Sequence, residues 1–292
     1  MIYAQYFQWR DQMRQGLTRH LSITILLIVS LISMSSTATA AKGLRLGSVA
    51  MDTPAVMHKR LSPLTQYLTM VLGIPVTLKL SSNMSDAIND VANGRVDIAY
   101  LTPVAYIRSH EIGQTKIIAK TVTKGNASFR LMIVAGENTG IKTLADLKGK
   151  RFAFGDRAAL LQRAIVVGSN TPLESLGSYD FLGHLDNIVR SILHGDYDAG
   201  ILKDSKALKW QGKGLRIIYE SQQLPPFNLT ATNSLGNRTI AVIRNALFSL
   251  NIKKPAHLKI IRALDKKYDG FAPAKDHDYD VIRELIAPFE NK

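Results

Sequence analysis

The chain has 292 residues, a formal net charge of +14 and no cysteine. Without cysteine, disulfides, thiol nucleophiles and cysteine-bound metals drop out. The positive excess favours anionic partners, but Lys and Arg are spread along the chain with no basic run interleaved with aromatics, which argues against nucleic acid.

Arg10, Arg14 and Arg19 precede the apolar run Leu21–Met34, and small residues follow up to Ala38-Thr39-Ala40. A basic region, a short apolar run and an A-x-A site predict a secretory signal peptide cleaved after Ala40. The other reading is an uncleaved anchor. The run carries several serines and threonines and falls short of the roughly 20 residues a span needs. Removing 40 of 292 residues leaves 252, and the net charge of +14 less +2 leaves +12. An exported chain without disulfides suits a bacterial periplasm, and its length suits two lobes better than one.

Short β-rich runs then alternate with helical patterns. Candidate strands are residues 44–50, 76–80, 96–101, 117–122, 129–135, 151–154, 197–202 and 215–219. A helix is predicted over 63–72, with Ser62 as cap, Pro63 in the first turn and Gly73 as stop. Alternation of this kind predicts an α/β fold with largely parallel, doubly wound sheets.

One unit occurs twice. Residues 88–101 and 188–202 each read as an amphipathic helix, a glycine stop, an aspartate and an apolar strand running into a loop. In doubly wound sheets ligands sit beyond the carboxyl ends of strands, so two copies predict two lobes facing one cleft. The polar stretch 123–128 reads as the first passage between lobes and Leu224-Pro225-Pro226-Phe227 as the return. Beyond it only helices are predicted, at 239–250 and 255–265. The expected organisation is a signal peptide at 1–40, lobe one at 41–124 and again at 226–292, and lobe two at 125–225.

The stretch Phe152-Ala153-Phe154-Gly155-Asp156-Arg157-Ala158-Ala159-Leu160-Leu161-Gln162 reads as a strand ending in a Gly-Asp turn that opens into a helix. Such a turn offers backbone N–H groups and the positive end of a helix dipole to an anion. Its first helical turn, however, carries no Ser or Thr to complete a cradle. By position, Asp52 ends the first strand, and Lys203 and Asp204 end the repeated strand of lobe two. Arg157 opposes the helix dipole; it faces the ligand, pairs with Asp156 or lies on the surface. No HExxH, G-x-S-x-G or P-loop appears, so no enzymatic activity is expected. Asp276-His277-Asp278 reads as a solvated turn rather than a metal site.

Leu44-Arg45-Leu46-Gly47, the segment 61–68, Gly94-Arg95-Val96-Asp97-Ile98-Ala99-Tyr100-Leu101-Thr102-Pro103, the segment 140–156, Asp269-Gly270-Phe271 and Asp278-Tyr279-Asp280 stand in an order that spans nearly the whole mature chain. Together they resemble the periplasmic phosphate/phosphite/phosphonate-binding proteins of ABC transporters, a type II solute-binding family. The resemblance implies a two-lobed type II periplasmic-binding-protein fold with a ligand cleft between lobes. It also implies no cofactor, a monomer, an inner-membrane ABC permease as partner and a small anionic ligand (a phosphonate, phosphate ester or carboxylate).

Where the family has Ser-Thr-Ser after Phe-Gly-Asp, this chain has Ala159, Leu160 and Leu161. At about 1.5–3 kcal/mol per hydrogen bond to a charged group, two lost hydroxyls weaken phosphoryl binding about 10²- to 10⁴-fold. The family's Gly-Ser-His-Asp corresponds to Gly183-His184-Leu185-Asp186, where His184 is a ligand contact or a helix-capping surface residue. Its strand-end loop corresponds to Tyr100, Thr102, Pro103 and Tyr106; Tyr100 is a contact or a core aromatic. The expected ligand set is thus Asp52, Tyr100, Thr102, Tyr106, Asp156, Arg157, Ala158, Ala159, His184, Lys203 and Asp204. A sensory receptor docking on a membrane histidine kinase or cyclase is the alternative to a transport receptor.

Overall fold

The computed structural model describes residues 43–48, 53–157 and 159–289. The predicted leader, Asp52 and Ala158 lie outside them. Along the chain run β1 (Leu44–Ser48), α1 (Pro54–Leu72), β2 (Val76–Leu80), α2 (Met84–Ala92), β3 (Ile98–Leu101), α3 (Pro103–Gly113) and β4 (Lys116–Thr123). Next come β5 (Leu131–Gly136), β6 (Arg151–Phe154), α4 (Leu160–Gly168), β7 (Ser178–Phe181), α5 (Leu185–His194), β8 (Ala199–Lys203), α6 (Asp204–Trp210) and β9 (Leu215–Glu220). The chain closes with β10 (Asn228–Ala231), α7 (Asn237–Ser249), α8 (Pro255–Leu264), β11 (Tyr268–Ala272) and α9 (Asp280–Ile286).

Two sheets result: a six-stranded one ordered β11-β4-β10-β3-β1-β2 and a five-stranded one ordered β7-β6-β8-β5-β9. The parallel expectation holds within β2-β1-β3 and β7-β6-β8. The remaining pairings are antiparallel, because β10, β11 and β5 run back along their neighbours. In each parallel trio the central strand comes first in sequence, so the order reverses at the ends of β1 and β6. Those ends are the switch points where doubly wound sheets bind ligands.

The chain passes between sheets twice, and the passages are paired. Phe129 and Leu224 exchange backbone hydrogen bonds of 3.0 and 2.8 Å. Thr123 and Asn126 close a tight turn whose central residues, Lys124 and Gly125, both have positive φ.

Three findings correct the sequence reading. Helix α1 begins at Pro54, not Pro63, and Pro63 sits inside it. An interior proline costs about 3 kcal/mol; burial of Met57, Leu61, Leu64 and Leu68 on one face offsets that, at about 1.5–3 kcal/mol each. The segment after 227 contains β10 and β11 as well as helices. Strand β7 was also missed, since Ser-Tyr-Asp-Phe lacks an apolar run and is held by its pairing with β6.

The apolar core of the six-stranded sheet on one face joins Leu46, Ile98 and Leu229 to α1, α7 and α8. A second cluster runs without a break from α2 and α3, through β5 and β6, to α4 and the C-terminal Tyr279, Ile282 and Ile286. A third packs Met132, Val134 and Ala153 under α5 and α6. Strand β5 alternates between the last two, so both its faces are buried.

Candidate ligand cleft

A cleft of about 400 Å³ opens between the sheets, at the carboxyl ends of β3, β6 and β8. The six-stranded side supplies Met84, Thr102, Pro103, Val104 and Tyr268. The opposite wall carries Asp156, Ala159, Leu160, Leu161, Gln162 and Lys203. Phe129, on the outgoing passage, and Pro226 with Phe227, on the return, close the hinge side.

The Phe-Gly-Asp turn is built from buried β6 outward. Phe154 is fully buried and hands the chain to Gly155, whose N–H donates to Gln162 Oε1 at 2.8 Å. The Ala159 N–H donates to Asp156 O at 2.9 Å, and α4 begins one residue later. A Cβ at Gly155 would stand 3.0 Å from Gln162 Nε2, so the absence of a side chain lets the amide close over the turn. The Gly155 N–H therefore has an internal acceptor. Leu160 and Leu161 present the apolar start of α4 beside it.

Lys203 is the one Lys or Arg among the lining residues. Its amine lies 4.7 Å from the centroid of the Phe129 ring, and no carboxylate among the described residues pairs with it. Burial lowers its pKa below the ordinary lysine value. Across the cleft, Thr102 Oγ accepts from the Ala105 N–H at 3.2 Å and caps α3, whose first residue is Pro103. The hydroxyl proton of Thr102 remains to be donated.

Tyr268 lines the cleft and its hydroxyl meets that of Tyr100 at 2.7 Å. Burial pushes the Tyr268 phenol up to about 12 and also holds that of Tyr100 well above its ordinary value. Tyr100 itself lies behind the wall, stacked on Phe227 with ring centroids 5.2 Å apart.

The structure thus brings together Thr102, Asp156, Ala159 and Lys203 of the expected set. Tyr106 lies elsewhere, fully buried in the core with its hydroxyl donating to Asp276 Oδ1 at 2.7 Å. Arg157 is exposed, its guanidinium 4.5 Å above Phe181. His184 is exposed ahead of α5. The Asp204 carboxylate accepts the Arg130 N–H at 3.0 Å and does not line the cleft. Gln162, Phe129, Phe227 and Tyr268 were missed. For Gln162 a signal existed: an amide among Leu160, Leu161, Ala164 and Ile165, on a helix otherwise apolar at its start. Among the described residues no group of three or more His, Cys, Asp or Glu is placed to hold a metal ion.

The profile of the family described as "ABC transporter, phosphonate, periplasmic substrate-binding protein" matches residues 46–279. The phosphate-import protein PhnD of Mycolicibacterium smegmatis is 24% identical over 282 residues, covering 85% of this chain and 87% of that protein. Among solved structures, PhnD1 from Prochlorococcus marinus in complex with methylphosphonate is 19% identical with a TM-score of 0.67, covering 86% of this chain and 99% of its own. XAC2383 from Xanthomonas citri bound to chloride ion is 18% identical with a TM-score of 0.70, covering 85% and 98%.

Proposed function

The chain belongs to the periplasmic substrate-binding proteins of phosphonate ABC transporters, and from that premise we propose that it is an exported receptor for a small anion bearing an apolar group. The observation that carries this reading is the make-up of the cleft. A single lining cation, Lys203, stands among largely apolar walls, and one backbone donor of the phosphoryl-type turn, the Gly155 N–H, is taken by Gln162.

A small, densely charged oxyanion gains most from several charge-assisted donors and gains nothing from Leu160, Leu161, Phe129 and Phe227. An aryl- or alkyl-substituted phosphonate, phosphate ester or carboxylate uses both features. Asp156 and Ala159 then border the ligand from one lobe and Thr102 from the other. Closing about the paired passages at Phe129 and Leu224 would bring Thr102 toward Lys203. The role is binding, without catalysis, and delivery is to an inner-membrane permease. Residues 1–40 act as a leader removed on export; no helix among the described residues is long and apolar enough to cross a membrane.

A thermal-shift panel of inorganic phosphate, methylphosphonate, phenylphosphonate, phenyl phosphate and benzoate tests the reading. Stabilisation by the ring-bearing anions above that by phosphate is expected. Sub-micromolar affinity for phosphate or methylphosphonate would overturn it. Loss of import of the ring-bearing anion on deletion of a permease encoded beside this chain separates transport from docking on a membrane kinase or cyclase.

A further inference from the structure

We propose that Gln162 is a specificity-determining donor of the cleft, its side-chain NH2, oriented by the Gly155 N–H, joining the backbone N–H groups that begin α4 as the groups offered to the ligand anion. The inference rests on the anionic-ligand reading above and sharpens it.

The orientation of the amide follows from its partner. The Gly155 N–H is buried and can only donate, so the Gln162 atom facing it at 2.8 Å is the carbonyl oxygen. Gln162 is 8% exposed and lines the cleft. With Oε1 turned to Gly155, the end of the amide left for a ligand anion is its NH2, with two donors. Gly155 makes the arrangement possible, since a Cβ there would stand 3.0 and 3.2 Å from Nε2 and Oε1.

This donor changes what the cleft accepts. Lys203, the Gln162 NH2 and the Thr102 hydroxyl are the side-chain donors of the cleft, and Asp156 lines the same cleft. One positive and one negative side chain leave the lining groups near neutrality, so the site matches an oxyanion of single charge better than a dianion. A monoalkyl or monoaryl ester of a phosphonate, or a carboxylate, has that charge.

Gln162→Glu isolates the donor from the fold. A carboxylate keeps the acceptor for Gly155 N–H and turns the NH2 into a second negative oxygen. Calorimetric titration of the purified wild-type and Q162E proteins with monomethyl phenylphosphonate and with benzoate is the test. Wild-type binding reduced at least tenfold by Q162E is expected, with the melting temperature little changed. Wild-type binding that Q162E leaves intact overturns the Gln162 assignment alone; no wild-type binding of either anion overturns the ligand class as well. Should Q162E fail to fold, the Gln162 side-chain NH2 resonances of the wild-type protein are read during the same titration. Their displacement supports the assignment and their invariance under binding overturns it.

Discussion

Asp198 holds Arg151 at two levels: the Arg151 N–H and Nη2 donate to its carboxylate at 2.8 and 2.7 Å, and its own N–H returns a bond to Arg151 O at 3.0 Å. The same arrangement stands in the other sheet. The Arg45 N–H donates to Asp97 Oδ2 at 2.7 Å, and the Asp97 N–H donates to Arg45 O at 2.9 Å. In both cases the aspartate follows a glycine that ends a helix with positive φ, Gly94 or Gly195. In both it pins the start of the following strand to the first strand of its trio. The repeated helix–glycine–aspartate–strand unit is therefore a register device. It sets β3 beside β1 and β8 beside β6, which aims Thr102 and Lys203 into one cleft.

Replacing Asp198 by Asn should cost about 1–2 kcal/mol at neutral pH, the scale of a hydrogen bond to a charged acceptor discounted for an exposed guanidinium. Arg151 beside it holds the Asp198 carboxyl below its ordinary range. Its contribution is thus present above the unfolded-state pKa and fades as pH falls through the folded-state value. Urea melts of wild type and D198N should differ at pH 7 and converge in acid. An undiminished difference well below the ordinary carboxylate range would contradict the assignment.

Lys203→Met should weaken anion binding at least tenfold without destabilising the ligand-free protein. Burial disfavours the charged amine in the folded state, so unfolding takes up protons and the wild type gains stability as pH rises from the lowered folded-state pKa toward the ordinary lysine value. Melting temperatures against pH check this: K203M should lie at or above wild type at neutral pH and lose the alkaline gain.

Gly155→Ala should cost about 1–3 kcal/mol, because the new methyl overpacks against the Gln162 amide. Chemical denaturation reads that loss. A parallel titration with phenylphosphonate should show weaker binding, since the displaced amide leaves the turn.

Tyr106→Phe removes the hydroxyl that donates to Asp276, which also accepts from Arg283 Nη2. A loss of about 1 kcal/mol in stability is expected, with affinity for phenylphosphonate unchanged, because Tyr106 lies in the core. A tenfold loss of affinity in Y106F would show that the ligand reads this network.

What was legible in the sequence followed from periodicity and position. The apolar runs of β3, β5, β6 and β8 announce themselves because both faces are buried or nearly so. Thr102 and Lys203 could be placed because strand ends face the cleft in any doubly wound sheet. The strands β7, β10 and β11 could not, since short segments such as Ser178–Phe181 owe their extension to partners far along the chain. Phe129, Phe227 and Tyr268 reach the cleft from the two passages and from β11, and only the pairing of those passages brings them together. Tyr106 and Asp204 carry the right chemistry near the right strand ends, but hydrogen bonds to Asp276 and Arg130 hold them away from the cleft.

The proposed preference of this cleft is for an anion with an apolar group over bare phosphate. Isothermal titration of the purified protein with phenylphosphonate and with inorganic phosphate compares the two directly. Burying a ring among Phe129, Leu160 and Phe227 is worth about 1.5–3 kcal/mol, so phenylphosphonate should bind at least tenfold more tightly. Phosphate binding as tightly as phenylphosphonate, or more so, would contradict it.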